Sequence, residues 1–177
     1  MSTERYFEDF SVGQVVAHRR GHTVTDVDNE WLSLLSMNTA QTHFNRDSLI
    51  DYFDGSFREL PLSAPVALAI AIGLSSEDMS ENALAEVGCT AIRTQAPIVA
   101  GDTLMVTSEV LELADGPDGG SGRLTYRLSA TVGGRQVLSA QRTVLIKRRS
   151  AHEARDRALA ETQDAAILRL LTPPPSA

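Results

Sequence analysis

Side chains able to move protons near neutral pH are few in this chain. There are four histidines, His18, His22, His43 and His152, and one cysteine, Cys89. An imidazole changes charge between about pH 5 and 8, so one ring can act as base and then as acid. His43 lies in a polar loop or short helical turn, TAQTHFNRD, five residues after Asn38. His18, His22 and His152 read as exposed and without a role, and Cys89 as a small buried hydrophobe within a strand. No His, Cys or carboxylate cluster has the spacing of a metal site, and a single cysteine excludes an internal disulfide.

Whatever positions these groups is built around one stretch. Ala64 to Leu74 carries no polar side chain. A helix that is apolar on every side has to be enclosed, and about eleven residues are too few to cross a bilayer. Pro65 suits a first helical position and Ser63 its cap. SSEDMSENA, which follows, reads as a connection. Upstream, Gln14 to Arg20 reads as a strand. Thr25 and Asp28 form a capping box that opens an amphipathic helix from Asp26 to about Ser36, with Val27, Trp31, Leu34 and Leu35 on its apolar face. Asp51 to Leu60 reads as a surface segment broken at Gly55.

The rest is β in character. Four strands are expected: Glu86–Ile98, broken by Pro97, then Thr103–Leu113, Arg123–Val132 and Gln136–Lys147. In the third, Leu124, Tyr126, Leu128, Ala130 and Val132 alternate on one face, as in a half-buried strand. The glycine-rich loop Ala114–Gly122 and the Gly133–Gly134 turn make these strands an antiparallel meander. Ser150 and Glu153 form a second capping box, opening a helix from Ala151 to about Leu171 with an apolar end. The expected organisation is α+β: one domain over residues 1–149, then a helical appendage and Pro-rich tail over 150–177.

Composition narrows the function. A net charge of −7, with no basic stripe, argues against a nucleic-acid partner. No apolar run reaches eighteen residues, so no membrane span is expected. MSTERYFEDF lacks the layout of a signal peptide, and a cytoplasmic protein is expected.

A strand, a buried helix and a meander wrapped round it make the hot-dog arrangement. YFEDFSVGQVVAHRRGHTVTDVDNEWLSLLSMNTAQTHFN, the helix ending IGLS, and IRTQAPIVAGDTLMVTSEVLE together resemble the MaoC-like acyl-CoA dehydratases. That group contains (R)-specific enoyl-CoA hydratases and mesaconyl-CoA hydratase. The resemblance runs over residues 5 to 148, and the A-P-hydrophobic-x-x-G-D-T-L run is its most specific part. In that family the site is commonly written D-x-N-P-x-H. Here His43 matches the histidine, while Asn38, Ala40 and Gln41 replace the Asp, Asn and Pro. The Met37-Asn38-Thr39 opening resembles the mesaconyl-CoA-hydratase-like branch.

What the resemblance implies is hydration of an enoyl-CoA thioester, or the reverse dehydration, by a hydro-lyase. Coenzyme A enters as part of the substrate, and no other cofactor or metal is expected. His43 would be the general acid/base, and Asn38 would hold the water or merely cap the helix. The Ala64 N–H, with Ser63, would bind the thioester oxygen, because a helix N-terminus presents unpaired N–H groups and favours negative charge. Arg93, Arg142 and Lys147 are candidates for the coenzyme A phosphates. A homodimer or higher homo-oligomer is implied, since the sheet of this fold commonly continues edge to edge into a partner. Two alternatives stay open: a hot-dog thioesterase, for which Glu59 is the nearest carboxylate, and a non-catalytic acyl-CoA-binding subunit.

Overall fold

A computed structural model describes residues 5–49 and 57–171. Among the described residues six strands form one antiparallel sheet: β1 (Val15–Ala17), β2 (His22–Thr23), β3 (Ala83–Thr94), β4 (Thr103–Asp115), β5 (Ser121–Val132) and β6 (Arg135–Lys147). The order is β1-β4-β5-β6-β3, and β2 pairs with β4 beside β1. The meander follows from its turns. Gly133 and Gly134 both have positive φ, +55° and +80°, the backbone that a two-residue hairpin needs and that glycine adopts without strain. Register then places Leu104, Val106, Val110, Leu124, Tyr126, Leu128, Ala130, Leu138, Val144 and Ile146 on one buried face.

Against that face lies the central helix α2, Ala64–Met79, burying Val66, Ala67, Ala71, Ser75 and Met79. It is five residues longer than its apolar run. Ser75 and Ser76 do not end it, because both hydroxyls bond the Ile72 carbonyl one turn back, at 2.8 and 2.9 Å. SSEDM is therefore helix, where a connection was expected. The expected enclosure is half met: Ala64, Pro65, Ala69 and Gly73 face outward.

Helix α1 (Asp26–Leu35) carries the expected capping box, Thr25 Oγ1 accepting from the Asp28 N–H and Asp28 accepting from the Thr25 N–H. The face it turns inward is not its apolar one. Val27, Trp31, Leu34 and Leu35 are exposed, and the buried residues are Asn29 and Ser33. β3 is a long edge strand, exposed along most of its length. Cys89, in its middle, is accordingly half-exposed instead of buried. The expected break at Pro97 falls beyond the strand, which ends at Thr94, and the first strand is only Val15–Ala17.

The third helix, α3, runs Arg149–Leu171, starting ahead of the expected Ser150 cap. Its first N–H is held by Glu8 instead, at 3.0 Å. Lys147 and Tyr6 both bond Asp156, and Arg149 bonds Asp9. Those contacts tie the first turns to the domain, and from Arg157 onward the helix is exposed. No described helix is long and apolar enough to cross a membrane. Most of the expected Asp51–Leu60 segment lies outside the described residues.

Candidate active site

The N-terminus of α2 opens onto a groove of about 380 Å3, lined by His43, Pro61, Leu62, Ala64 and Ala67 and by the end of β3 and the segment after it, Thr94 to Ile98. Three segments meet there for separate local reasons. His43 ends a short 3-10 turn, Gln41–His43. The Pro61–Ser63 segment is extended and pinned by the Leu62 N–H on the Ile98 carbonyl, at 2.7 Å. Helix α2 starts with Ala64 and Pro65, and its first internal bond is the Ala67 N–H to the Ser63 carbonyl. The N–H groups before Ala67 thus have no acceptor within the helix, and Pro65 has none to offer.

His43 is half-buried, and its Nδ1 lies 2.7 Å from the Pro61 carbonyl oxygen. A carbonyl can only accept, so Nδ1 must carry the hydrogen. That leaves Nε2 as the basic nitrogen of the neutral ring. A fixed tautomer with one lone pair available is what a general base needs. The groove is otherwise apolar or neutral, and among the described residues no carboxylate lines it.

The other expected site residues are distributed unevenly. Ala64 lines the groove, whereas Ser63 is buried and its hydroxyl makes no cap bond. Asn38 is half-buried and lies off the groove, its side-chain oxygen accepting from the Ala40 N–H at 2.9 Å. Met37 just before it takes the left-handed backbone, φ +53°, which ends α1. Arg93 is exposed on β3. Arg142 is only 8% exposed and bonds Glu86, Ser80 and Tyr126. It therefore sits inside the fold and not on a rim. Lys147 is paired with Asp156 at 2.8 Å. Glu59 is exposed and away from the groove.

Two histidines expected to be idle are engaged. His18 is buried, with Nδ1 at 2.7 Å from Asp78 and Nε2 at 2.8 Å from Ser108 Oγ, and it ties the end of α2 to β1 and β4. His22 bonds the capping residue Asp28. His152 is half-buried. A second hollow, about 510 Å3, lies by the His18 end of α2 and is lined by Arg5, Arg19, Arg20, Glu77 and Asp78. It is the larger of the two, but it contains neither His43 nor a helix N-terminus. Among the described residues no group of His, Cys, Asp or Glu could hold a metal ion. Sequence reasoning missed the Pro61 carbonyl, since a backbone acceptor leaves no trace in residue type.

A helix lying along an antiparallel sheet, with its N-terminus beside a histidine-lined groove, defines a hot-dog domain of the MaoC-like class. Within that class the chain belongs to the mesaconyl-CoA hydratase family, whose profile matches residues 2–169. It is 31% identical over 121 residues to a beta-methylmalyl-CoA dehydratase of Chloroflexus aurantiacus, covering 66% of this chain and 32% of that one. It is 29% identical over 151 residues to a mesaconyl-CoA hydratase of Cereibacter sphaeroides, covering 82% and 42%. A solved Mycobacterium tuberculosis protein with a double hot-dog fold superposes with a TM-score of 0.72 at 22% identity, over 81% of this chain and 44% of that one. The chain spans less than half the length of each of these three.

Proposed function

We propose that the groove hydrates a short or branched enoyl-CoA thioester, or runs the reverse dehydration of the 3-hydroxyacyl-CoA, in the manner of a mesaconyl-CoA hydratase. The observation that carries the reading is the Nδ1–Pro61 bond, which leaves His43 Nε2 as the base beside the groove. Nε2 takes a proton from water as its oxygen adds to the β-carbon. The electron pair of the C=C bond moves toward the thioester oxygen, where the Ala64 N–H and the α2 dipole stabilise the enolate. The imidazolium then returns the proton to the α-carbon, so one water is added across the double bond. The half-exposed start of α2 and the modest groove suit a small acyl group. The reaction requires no cofactor beyond the coenzyme A of the substrate.

Of the three cations expected to meet the coenzyme A phosphates, Arg93 on the exposed edge strand is the one kept in the proposal. The domain is proposed to work against a second hot-dog unit, another copy of this chain. Leu84, Val87 and Ile92 on the unpaired edge of β3 support that, as does the open side of α2.

Absorbance near 263 nm, where a conjugated enoyl thioester absorbs (roughly the C=C–C=O band), tests the reading with crotonyl-CoA and mesaconyl-CoA. Wild type is expected to bleach the band and His43→Ala to lose at least about 100-fold in rate. Equal rates in the two proteins would sink the assignment. A second reading, acyl-CoA binding without turnover, is favoured by the Asn38 oxygen being committed to Ala40. Saturable binding with no bleaching would select it. A thioesterase is disfavoured by the groove's lack of a carboxylate, and thiol release would reveal one.

A further inference from the structure

The buried face of α1 holds two polar side chains where a helix packed on its neighbours would bury apolar ones. Asn29 is 4% exposed and Ser33 is fully buried. Neither is satisfied: among the described residues Asn29 Oδ1 and Ser33 Oγ are buried without a hydrogen-bond partner. An orphaned buried acceptor destabilises a fold, so a residue that brings one in has some other use. The one bond the Asn29 side chain does make points to that use. Its Nδ2 donates to the Pro61 carbonyl oxygen at 3.2 Å, the same oxygen that accepts from His43 Nδ1 at 2.7 Å.

We infer that Asn29 is a positioning residue for His43, acting through the shared Pro61 carbonyl. A carbonyl oxygen has two acceptor lobes. With one occupied by an amide on a capped helix, the carbonyl cannot swing about its flanking bonds, and the other lobe is aimed at the imidazole. The Thr25–Asp28 box, ending one residue before Asn29, fixes the start of α1, and the Leu62 N–H pins the Pro61 segment to Ile98. His43 is thus held by a carbonyl that is braced on both sides. Here no carboxylate stands five residues before His43, so the orientation of the ring rests on this brace. The inference builds on the acid/base role proposed for His43.

A structural role and a positioning role predict different outcomes for Asn29→Leu. Leucine has a similar volume and removes the orphaned Oδ1, and if Asn29 were only structural the Pro61 oxygen would keep its bond to His43 and no new orphan would appear. On structural grounds the variant melts no lower than wild type. On positioning grounds kcat falls by about 10-fold with KM within about twofold, the scale on which loss of a partner that orients an imidazole is felt. In 15N-histidine-labelled protein, the His43 ring nitrogens are expected to show the Nδ1–H tautomer in wild type and a tautomer mixture in Asn29→Leu. An unchanged His43 spectrum in Asn29→Leu, or a kcat loss matched by a fall in melting temperature, would overturn the inference. If wild type hydrates no enoyl-CoA the acid/base reading fails, and the tautomer measurement still decides whether Asn29 orients the ring.

Discussion

Replacing Arg142 by methionine distinguishes a structural arginine from a ligand-binding one. Its Nη1 donates to the Tyr126 hydroxyl at 2.7 Å and to Ser80 Oγ at 3.0 Å, while Nε and Nη2 grip the Glu86 carboxylate at 3.0 and 2.7 Å. The three partners are unequal. Tyr126 is fully buried, and stripping a charged donor from a buried hydroxyl costs about 1–3 kcal/mol. The Glu86 side chain is 48% exposed, so water screens that pair and its loss costs under about 1 kcal/mol. Ser80 is half-buried and can turn to solvent. Methionine keeps the packing of the stem. Arg142→Met is therefore expected to destabilise by about 1–4 kcal/mol, and at this chain length to lower the melting temperature by about 2–15 °C. Urea and thermal melts followed by far-UV circular dichroism measure both. KM for the acyl-CoA is expected to stay at the wild-type value in the fraction that remains folded. A variant with wild-type melting and a raised KM would refute this reasoning and return Arg142 to the coenzyme A phosphates.

Gly122 on β5 has the Phe7 ring directly where a Cβ would go. Gly122→Ala is expected to cost about 1–3 kcal/mol by displacing a ring on which the Arg148 guanidinium stacks at 4.6 Å; a thermal melt indistinguishable from wild type would show that Phe7 yields freely. The Lys147 ammonium, first, with the Tyr6 hydroxyl, holds the Asp156 carboxyl below its ordinary range. Its folded form takes up a proton at lower pH than its unfolded form, so its stabilisation is complete above the usual carboxylate range and fades as pH falls through it. Asp156→Asn is therefore expected to melt below wild type at pH 6 and level with it in strong acid, and a gap that persists in acid would contradict this. Burial first, and the Glu86 carboxylate second, push the Cys89 thiol up, with Arg142 opposing. Cys89 is expected to react with a disulfide reagent at pH 7.5 more slowly than a small free thiol, and an equal rate would count against it.

Much of the fold was legible because its signals are local. Alternation in β5 and the Gly133–Gly134 turn specify strand and hairpin within a few residues, and Leu124, Tyr126, Leu128 and Ala130 are all fully buried as their spacing predicts. The errors arose where burial depends on what lies across from a residue. Helical periodicity finds the apolar face of α1, but it carries no information on which way that face turns. Trp31 is 65% exposed and Asn29 is 4% exposed on one short helix. Cys89 looks like a core residue in an apolar strand until the sheet order makes β3 an edge. Serine likewise suggested the end of α2, but a hydroxyl that bonds its own helix at Ile72 does not stop it.

The candidate site shows the same division more sharply. His43 and the start of α2 were named as site residues through the resemblance to the MaoC-like dehydratases, and the structure brings them to one groove. The groups that orient His43 were not found, because one is a backbone oxygen and the other an asparagine on a helix whose inward face had been misassigned. The second failure traces to the α1 face. A helix with its apolar stripe outward and its polar pair inward is poorly matched to a lone soluble domain. It fits a domain whose inner polar pair serves the site and whose outer stripe is covered by something else. Where the second unit of the proposed assembly covers this stripe as well as β3, part of the stabilisation of α1 comes from it, and the ring orientation at His43 depends on it. Dilution below the dissociation constant is then expected to lower activity per mole and shift Trp31 emission to the red together, at one protein concentration. Emission that stays constant while activity falls would separate the stripe from the interface and leave its covering to another partner.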